Sequence, residues 1–488
     1  MIYMKEASFI YENSINGAAV TKLNAQIPKG QAVLLCGESG SGKTTFGRLV
    51  NGLIPSYYEG EMSGDVFVKG KDIRRAELYE LAPFVGSVFQ NPKSQFYTLL
   101  TDTEIVFACE NLGIGKEDIL SRFDGTVEAL HIKRLLGKSL FALSGGEKQK
   151  IACASVSALM PEVFVLDEPS SNLDIGAIWD LQKILLTWKA QGKTIIIAEH
   201  RLSWLRGIVD RVLFFEDGKI EKDLAGDSFW AISPEEFHNM GLRAYNRFAP
   251  EKKLKTGGHG KIGLKDFRFS YKKAPVLNIP YLEIPQGAVV AVLGDNGAGK
   301  TTFARCLCGL LKKAEGSLNY KGKLYVGKKR TTLCYMVMQD VNHQLFSESV
   351  LDEVMLGVDI STNTEKEKIA GEILSALDLS AYKDAHPMSL SGGQRQRVAI
   401  AGAIASNKEI IVFDEPTSGL DYRHMMEVAQ NIHRLSSLGK TQFIITHDPE
   451  LVAACCNYFI FIENGAVTNS GGWTSESIQV VADYFDRV

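Results

Sequence analysis

The sequence predicts an α/β protein built from two tandem copies of one domain, each organised on a buried, mostly parallel sheet. Three observations predict it. A phosphate-cradling pattern occurs twice, as Gly37, Glu38, Ser39, Gly40, Ser41, Gly42, Lys43, Thr44 and as Gly294, Asp295, Asn296, Gly297, Ala298, Gly299, Lys300, Thr301, 257 residues apart (300 − 43). Downstream spacings repeat as well: Ser144 to Glu168 and Ser391 to Glu415 both span 24 residues, and Glu168 to His200 and Glu415 to His447 both span 32. Repeats that keep register across three elements describe one folding unit used twice. Short β-branched runs such as 163–166, 194–198, 410–413 and 442–445 alternate with helical patterns, as buried parallel strands do in α/β proteins.

Each phosphate loop follows a buried-strand run, 32–36 or 288–293, and opens an apolar helix. That strand–loop–helix context is what the GxxxxGK[ST] pattern requires. The glycines let backbone N–H groups converge on an anion. Lys43 and Lys300 are placed to reach the β- and γ-phosphates, and Thr44 and Thr301 to offer a hydroxyl to Mg²⁺. Thr45 and Thr302 complete the phosphate-binding stretch. Lys43 to Gln90 spans 47 residues against 39 from Lys300 to Gln339, so the first half carries extra chain, expected within residues 55–64. The first half ends after a hairpin over 212–220, with its counterpart at 458–466. Ser233 to Met240 reads as a capped helix, and polar 251–260 as a flexible linker. The expected domains are therefore 1–228 and 261–488, joined by 229–260.

At 488 residues the chain has room for two or three domains with cores of their own. A net charge of −3 with 23% charged residues gives no basic footprint for nucleic acid. The eight cysteines show no zinc spacing; those at 306, 308, 455 and 456 sit in apolar helical stretches and read as buried, unligated thiols. Reduced thiols fit the cytosol. The first fourteen residues lack a charged-then-apolar signal pattern, and no run approaches the ~18 apolar residues of a membrane helix.

Two further segments carry the chemistry of phosphoryl transfer. Val163, Phe164, Val165 and Leu166 run into Asp167 and Glu168, and Ile410, Ile411, Val412 and Phe413 into Asp414 and Glu415. Each places two carboxylates at a strand end. The first can hold Mg²⁺ through water, and the second can orient or deprotonate the attacking water. Ser144, Gly145, Gly146 and Ser391, Gly392, Gly393 each precede a helix, offering a hydroxyl and open N–H groups at its positive end.

Taken together, both halves resemble ABC-type ATPase domains over nearly the whole chain. Leu143 to Lys150 and Leu390 to Arg397 resemble the family's signature loop. Gln90 and Gln339 match the Q-loop glutamine, a Mg²⁺ and water contact. Ser171, Asn172, Leu173, Asp174 and Ser418, Gly419, Leu420, Asp421 match the D-loop. His200 and His447 match the switch histidine that senses the γ-phosphate. Tyr11 and Tyr271 stand where the family stacks an aromatic on adenine. The resemblance implies an antiparallel β subdomain and a helical subdomain beside each parallel core. It also implies ATP and Mg²⁺ as cofactors, with Thr44, Gln90, Asp167, Thr301, Gln339 and Asp414 toward the metal and Glu168, Glu415, His200 and His447 as catalytic groups. In the family the signature loop acts on the ATP held by the opposite domain, so the resemblance implies that Lys43, Gln90, Glu168 and His200 pair with Ser391 and Gly393, and Lys300, Gln339, Glu415 and His447 with Ser144 and Gly146. Two departures stand out: Glu147 replaces the commoner Gln, and Glu199-His200-Arg201 differs from Thr446-His447-Asp448.

Without membrane spans such an ATPase needs separate membrane subunits or a soluble task. Gln95 and Gln344 lie five residues beyond the Q-loop glutamines and precede the pairs Phe96-Tyr97 and Leu345-Phe346. This, with Asn51 to Pro55 and Glu199-His200-Arg201, resembles the tandem ATPases of energy-coupling-factor (ECF) transporters, which power uptake of vitamins and transition-metal ions. The resemblance implies a transmembrane coupling subunit, a separate substrate-binding subunit, and a peripheral place on the cytoplasmic membrane face. Gln95 and Gln344 are then expected to pass γ-phosphate state to the partner, with the apolar-aromatic pairs flanking its groove. Asp340-Val341 in place of Asn91-Pro92 is a mild departure. The alternatives are the tandem ATPase of sugar importers, whose second half normally carries altered motifs, and a soluble twin-ABC translation factor. The latter would need an RNA-reaching interdomain helix pair or an iron–sulfur region, and neither pattern is present.

Overall fold

A computed structural model of the chain describes residues 1–12, 18–171, 173–244, 248–250, 260–271 and 274–486. The chain divides into two compact units, one built on Met1–Asn246 and the other on Arg247–Leu420 and His424–Arg487. All of the linker expected at 251–260 except Gly260 lies outside the described residues, as does Asn172.

The first unit contains β1 (Ile2–Tyr11), β2 (Val20–Ile27), β3 (Ala32–Gly37), β4 (Gly60–Val68), β5 (Lys71–Asp72), β6 (Val85–Val88), β7 (Val163–Asp167), β8 (Thr194–Ala198), β9 (Arg211–Glu216) and β10 (Lys219–Ala225). Strands β2-β1-β4-β5 form an antiparallel sheet. Strands β10-β9-β3-β8-β7-β6 form the main sheet, parallel except at the β9–β10 hairpin. The reason lies in the pattern of side chains. β3 and β8 are buried along their whole length, as strands covered on both faces must be. Alternate residues of β3 serve two cores: Ala32, Leu34 and Cys36 pack with Ile151, Leu181 and Trp188 of the helical side. Val33 and Leu35 pack with Phe46, Leu49 and the inner face of the antiparallel sheet. Between β6 and β7 run the helices Thr101–Asn111, Lys116–Ala129 and Gly145–Ala158.

The second unit repeats this plan with β11 (Lys261–Tyr271), β12 (Ala274–Pro285), β13 (Val289–Leu293), β14 (Ser317–Tyr320), β15 (Lys323–Val326), β16 (Cys334–Val337), β17 (Ile410–Asp414), β18 (Thr441–Ile445), β19 (Tyr458–Glu463) and β20 (Ala466–Gly472). Their orders are β12-β11-β14-β15 and β16-β17-β18-β13-β19-β20. The eight cysteines are buried free thiols. No helix among the described residues is long and apolar enough to cross a membrane.

The extra chain of the first half is only partly where the sequence places it. Val68 pairs with Ile2 and Tyr320 with Ile262, so these two positions correspond. Lys43 to Val68 spans 25 residues and Lys300 to Tyr320 spans 20, which locates five of the eight extra residues upstream of that point. They lengthen β4 so that it follows β1 out to the Tyr11–Gly60 pair. The other three lie between Val68 and Gln90.

One packing contact is solved in opposite ways. Gly86 of β6 pairs with Phe164, and its counterpart Tyr335 of β16 pairs with Ile411. A Cβ on Gly86 would lie 2.2 Å from Val156 Cγ1 on the crossing helix, whereas in the second unit Gly402 of that helix leaves room for the Tyr335 ring, whose hydroxyl would be 3.0 Å from a Cβ there. The bulk sits on the helix in one unit and on the strand in the other. Gly86→Ala should therefore destabilise by about 1–3 kcal/mol, the usual range for overpacking. Gly402→Ala should cost less, because only a hydroxyl must give way. Urea unfolding of the two variants checks both; an unchanged midpoint for Gly86→Ala would contradict the packing described.

Candidate functional site

In each unit four neighbouring strands end in the predicted motifs. In the first, β3 runs into the phosphate loop, β8 into Glu199 and His200, β7 into Asp167 and Glu168, and β6 toward Gln90. Lys43 opens the helix Lys43–Val50 and Lys300 the helix Lys300–Leu307. The preceding Gly42 and Gly299 both sit at φ 105°, a left-handed conformation that side chains beyond glycine rarely adopt. The Lys43 ammonium is buried and donates to the Gly37 and Glu38 carbonyls at 2.9 and 2.7 Å. Lys300 donates to the Gly294 and Asp295 carbonyls at 2.6 and 3.0 Å.

The two carboxylates emerge from β7 and β17. Thr44 Oγ1 donates to Asp167 Oδ1 at 3.1 Å, and Thr301 Oγ1 to Asp414 Oδ1 at 3.3 Å. Burial, reinforced by the neighbouring Glu168 charge, pushes the Asp167 carboxyl up to about 6; burial raises Asp414 too. Glu168 and Glu415 have positive φ of 43° and 50°. Such backbone costs on the order of 1–3 kcal/mol and gathers at functional sites. It is held by backbone bonds from Glu168 N–H to the Ala198 carbonyl (2.8 Å) and from Glu415 N–H to that of Ile445 (2.9 Å). Gln90 Nε2 donates to Glu168 Oε2 at 2.7 Å, and His200 Nε2 lies 3.4 Å from Oε1. In the second unit His447 Nε2 is 3.6 Å from Glu415 Oε1 and 3.2 Å from Lys300 Nζ. Burial lowers the His200 pKa, which keeps the ring neutral near pH 7.

Ser144 and Ser391 cap their helices. Ser144 Oγ accepts from Glu147 N–H at 3.2 Å while Glu147 Oε2 accepts from Ser144 N–H at 3.0 Å; Ser391 and Gln394 exchange the same pair at 3.3 and 2.9 Å. Glu147 thus makes the same reciprocal box as Gln394, because the box needs only an acceptor oxygen at that position. The other departure also has a physical account. In the second unit Asp448 caps the helix Pro449–Cys455 and accepts from Thr417 Oγ1 at 2.7 Å. Arg201 cannot cap, and only a 3₁₀ turn, Ser203–Leu205, follows. The carboxylate comes instead from Glu199, which accepts from the N–H of Ser170, the counterpart of Thr417, at 3.2 Å and from that of His200 at 2.8 Å.

The tyrosines differ between the units. Tyr271 is 46% exposed with its ring edge-on to Phe269. The Tyr11 hydroxyl lies 3.2 Å from Thr45 Oγ1 and accepts from Arg48 Nη1 at 2.8 Å, and Arg48 also sits 3.9 Å from the ring centre of Tyr58. Tyr58 lies just ahead of the lengthened β4, and no sequence pattern announces its contact with Arg48.

One expectation for the Q-loop tails needs correction. Gln95 and Gln344 do not project from their loops: Gln95 accepts from Phe89 N–H and donates to the Ser87 carbonyl (3.2 and 3.1 Å), and Gln344 does the same with Met338 N–H and the Met336 carbonyl (3.0 and 3.3 Å). They brace the loop's own backbone. Nor do the pairs present both side chains. Phe96 packs on the core and Leu345 is buried, leaving Tyr97 and Phe346 exposed at 77% and 78%. A buried carboxylate in each unit holds this arrangement. Glu104 Oε2 accepts from the Tyr97 and Thr98 N–H groups (3.1 and 2.8 Å), and Glu353 Oε2 from those of Phe346 and Ser347 (3.0 and 2.9 Å). Both glutamates lie 14 residues after the Q-loop glutamine, a repeated spacing through which they could have been found.

A phosphate loop, paired carboxylates, a glutamine and a histidine on adjacent strand ends, present twice, define a tandem nucleotide-binding ATPase. The ABC transporter family model matches residues 20–171 and 277–418, and the chain belongs to that family. A Treponema denticola protein named, by provisional assignment, as an ABC transporter ATP-binding protein is 44% identical over 96% of both chains. A Methanosarcina acetivorans protein of the same name is 32% identical over 96% of this chain and 85% of its own. Among solved structures, a chain from the complex of archaeal ribosomal stalk protein and archaeal ribosome recycling factor superposes with a TM-score of 0.66 at 21% identity, covering 98% of this chain and 92% of that one. That likeness is one of fold.

Glu199 gives a pH-dependent prediction. Burial pushes its carboxyl from 4.5 up to about 7. Below 4.5 both folded and unfolded forms are protonated; as pH rises toward 7 the unfolded chain ionises while the folded one resists, so this contribution to stability is lost across that window. Glu199→Gln does not titrate. Its unfolding free energy relative to the parent should rise by about 2 kcal/mol between about pH 5 and 7.5, measured by urea titration at each pH. A pH-independent difference would contradict the burial argument.

Proposed function

We propose that this chain is the motor subunit of an ECF-type importer of a vitamin-like micronutrient or transition-metal ion. In this reading each half supplies one P-loop and one signature loop, and hydrolysis drives separate membrane subunits from the cytoplasmic face. The observation that carries it is the repeated Gln–apolar–aromatic tail, whose outer aromatic, Tyr97 or Phe346, is held exposed beside the Q-loop by a buried glutamate. The relatives with transporter names at 32–44% identity support the transport reading. Magnesium fits the donor set. Thr44 with Asp167, and Thr301 with Asp414, offer oxygen ligands, and no cluster of three or more His, Cys, Asp or Glu among the described residues forms an all-protein cage. Mg²⁺ usually shares its shell with phosphates and water, and when bound it neutralises phosphate charge. Gln90 and Gln339 complete the proposed metal side. Glu168 and Glu415 orient and polarise the attacking water, and Gln90 and His200 hold the Glu168 carboxylate in place.

Two experiments test this reading. Glu168→Gln combined with Glu415→Gln keeps shape but removes the charge that polarises water. ATP should bind and remain, with turnover lower by ~10²–10⁴; phosphate release at the parental rate would refute the role. For the partner, Tyr97→Ser with Phe346→Ser should leave nucleotide binding intact and abolish co-purification with the membrane subunits. Glu104→Gln with Glu353→Gln should weaken co-purification in the same direction by loosening the loops. Identification of the subunits recovered from membranes distinguishes an ECF system from a sugar importer. Recovery of ribosomal components instead would overturn the transport reading.

A further inference from the structure

The ring of His447 is gripped from both sides. Nε2 lies 3.2 Å from Lys300 Nζ and 3.6 Å from Glu415 Oε1, and Nδ1 lies 3.2 Å from the phenol of Tyr484. Tyr484 is buried near the end of the helix Ser475–Phe485. Its ring packs edge-on to Phe461 and Phe485, and Phe485 packs in turn on Phe248. The same ring of contacts includes Trp473, stacked on Phe459 and bonded through Nε1 to the Cys456 carbonyl at 2.6 Å. The phenol is thus fixed in place by packing.

This geometry favours one tautomer. Lys300 Nζ, as an ammonium, only donates, so its close contact suits a neutral ring whose Nε2 lone pair faces Lys300 and whose Nδ1–H is donated to Tyr484 Oη, whereas the more distant Glu415 carboxylate would suit the reverse. A switch histidine that is to donate to a phosphate oxygen needs the opposite tautomer, with the proton on Nε2. A phenol can serve both, because it accepts from Nδ1–H and donates to a bare Nδ1. Phenylalanine could serve neither, and a buried ring nitrogen would lose its partner. The described residues of the first half show no such arrangement. Among the described residues no hydrogen bond reaches His200 Nδ1, and the segments after β10 bury Phe229 and Phe237 instead.

We propose that Tyr484 is a positioning residue for His447 that holds the ring through both tautomers and ties the second ATP site, but not the first, to the C-terminal helix. The proposal rests on the reading of His447 as the phosphate-sensing switch. It is tested on the full chain labelled with ¹⁵N-histidine, with His447→Gln used to assign the resonance. The parent should show Nδ1–H without nucleotide and move toward Nε2–H with Mg²⁺ and a non-hydrolysable ATP analogue. Tyr484→Phe should abolish that nucleotide-dependent change and lower kcat by about 5- to 30-fold, the factor expected when a buried group loses its partner, with little change in KM. Phe485→Leu loosens the same aromatic cluster without touching His447 and should leave the tautomer change intact. If Tyr484→Phe keeps the parental spectrum and kinetics while His447→Gln is impaired, the proposal fails and the switch reading stands. If Phe485→Leu reproduces the spectral loss, Tyr484 acts through packing alone and the proposal fails. If His447→Gln turns over ATP like the parent, the switch reading itself is wrong.

Discussion

The chemistry of each half depends on the lateral pairing of four parallel strands. In the first, β3, β8, β7 and β6 are consecutive neighbours, with the ~4.8 Å spacing that hydrogen bonding imposes. Their carboxyl ends therefore place the phosphate loop, the histidine, the Asp-Glu pair and the glutamine along one edge, although the chain reaches them in the order loop, glutamine, carboxylates, histidine. A crevice at the strand ends is where open α/β sheets bind ligands in general. Register is the constraint. Asp167 pairs with Ala198, so a slip of one residue between β7 and β8 would turn the carboxylate side chains to the opposite face and away from the histidine. Apolar residues buried on both faces of β3 and β8 make such a slip costly, so the core protects the geometry of the site.

Within that frame the glutamate that follows β7 or β17 is the most tightly determined group. Glu168 and Glu415 adopt a backbone conformation that β-strand residues avoid, in two independent copies, with the backbone N–H tied to the neighbouring strand each time. The turn after the strand points the side chain across the sheet edge toward the histidine. Buried Asp167 and Asp414, whose pKa values burial raises, are the groups whose charge a nearby cation would most stabilise. The adjacent carboxylates are thus differently directed: Asp167 and Asp414 at the loop threonine, Glu168 at the glutamine and the histidine, and Glu415 at the histidine.

The motif residues were legible because their positions are fixed by strand ends, and a strand end is visible as an apolar run followed by a polar pair. The duplicated plan and the buried, mostly parallel core strands follow from the same patterns. What the sequence hid was of two kinds. Glu104 and Glu353 repeat at one spacing, but they bond mainly to backbone N–H groups, which carry no residue identity, so their partners leave no trace in the pattern. Tyr484 reaches its site from the helix Ser475–Phe485 and Tyr58 from the chain just ahead of β4, and a single tyrosine reads as an ordinary half-buried ring. Gln95 and Gln344 are legible by their spacing, but the backbone bonds they close are not. An exposed glutamine and one that closes backbone bonds look alike until the loop's path is known. The Gly86–Val156 and Tyr335–Gly402 exchange shows the same limit for packing: each residue alone is unremarkable, and only the pair conserves volume.

The two halves are therefore alike in their polar framework and unlike in what surrounds it. Each links the segment after the strand-end glutamate to the histidine strand through a buried carboxylate, but the first uses Glu199 before the histidine and the second Asp448 after it. The consequence is directional. Asp448 caps a helix and accepts from Thr417, Glu450 and Leu451, whereas Glu199 is a wholly buried carboxyl with its pKa near 7. Adjacent to the histidine in the first half is thus a group that changes charge near neutral pH; the second half has there a helix-capping aspartate, with a phenol on the far side of its ring. Two sites built on one set of motifs can in this way respond differently to pH and to nucleotide without altering a single residue that the motifs specify.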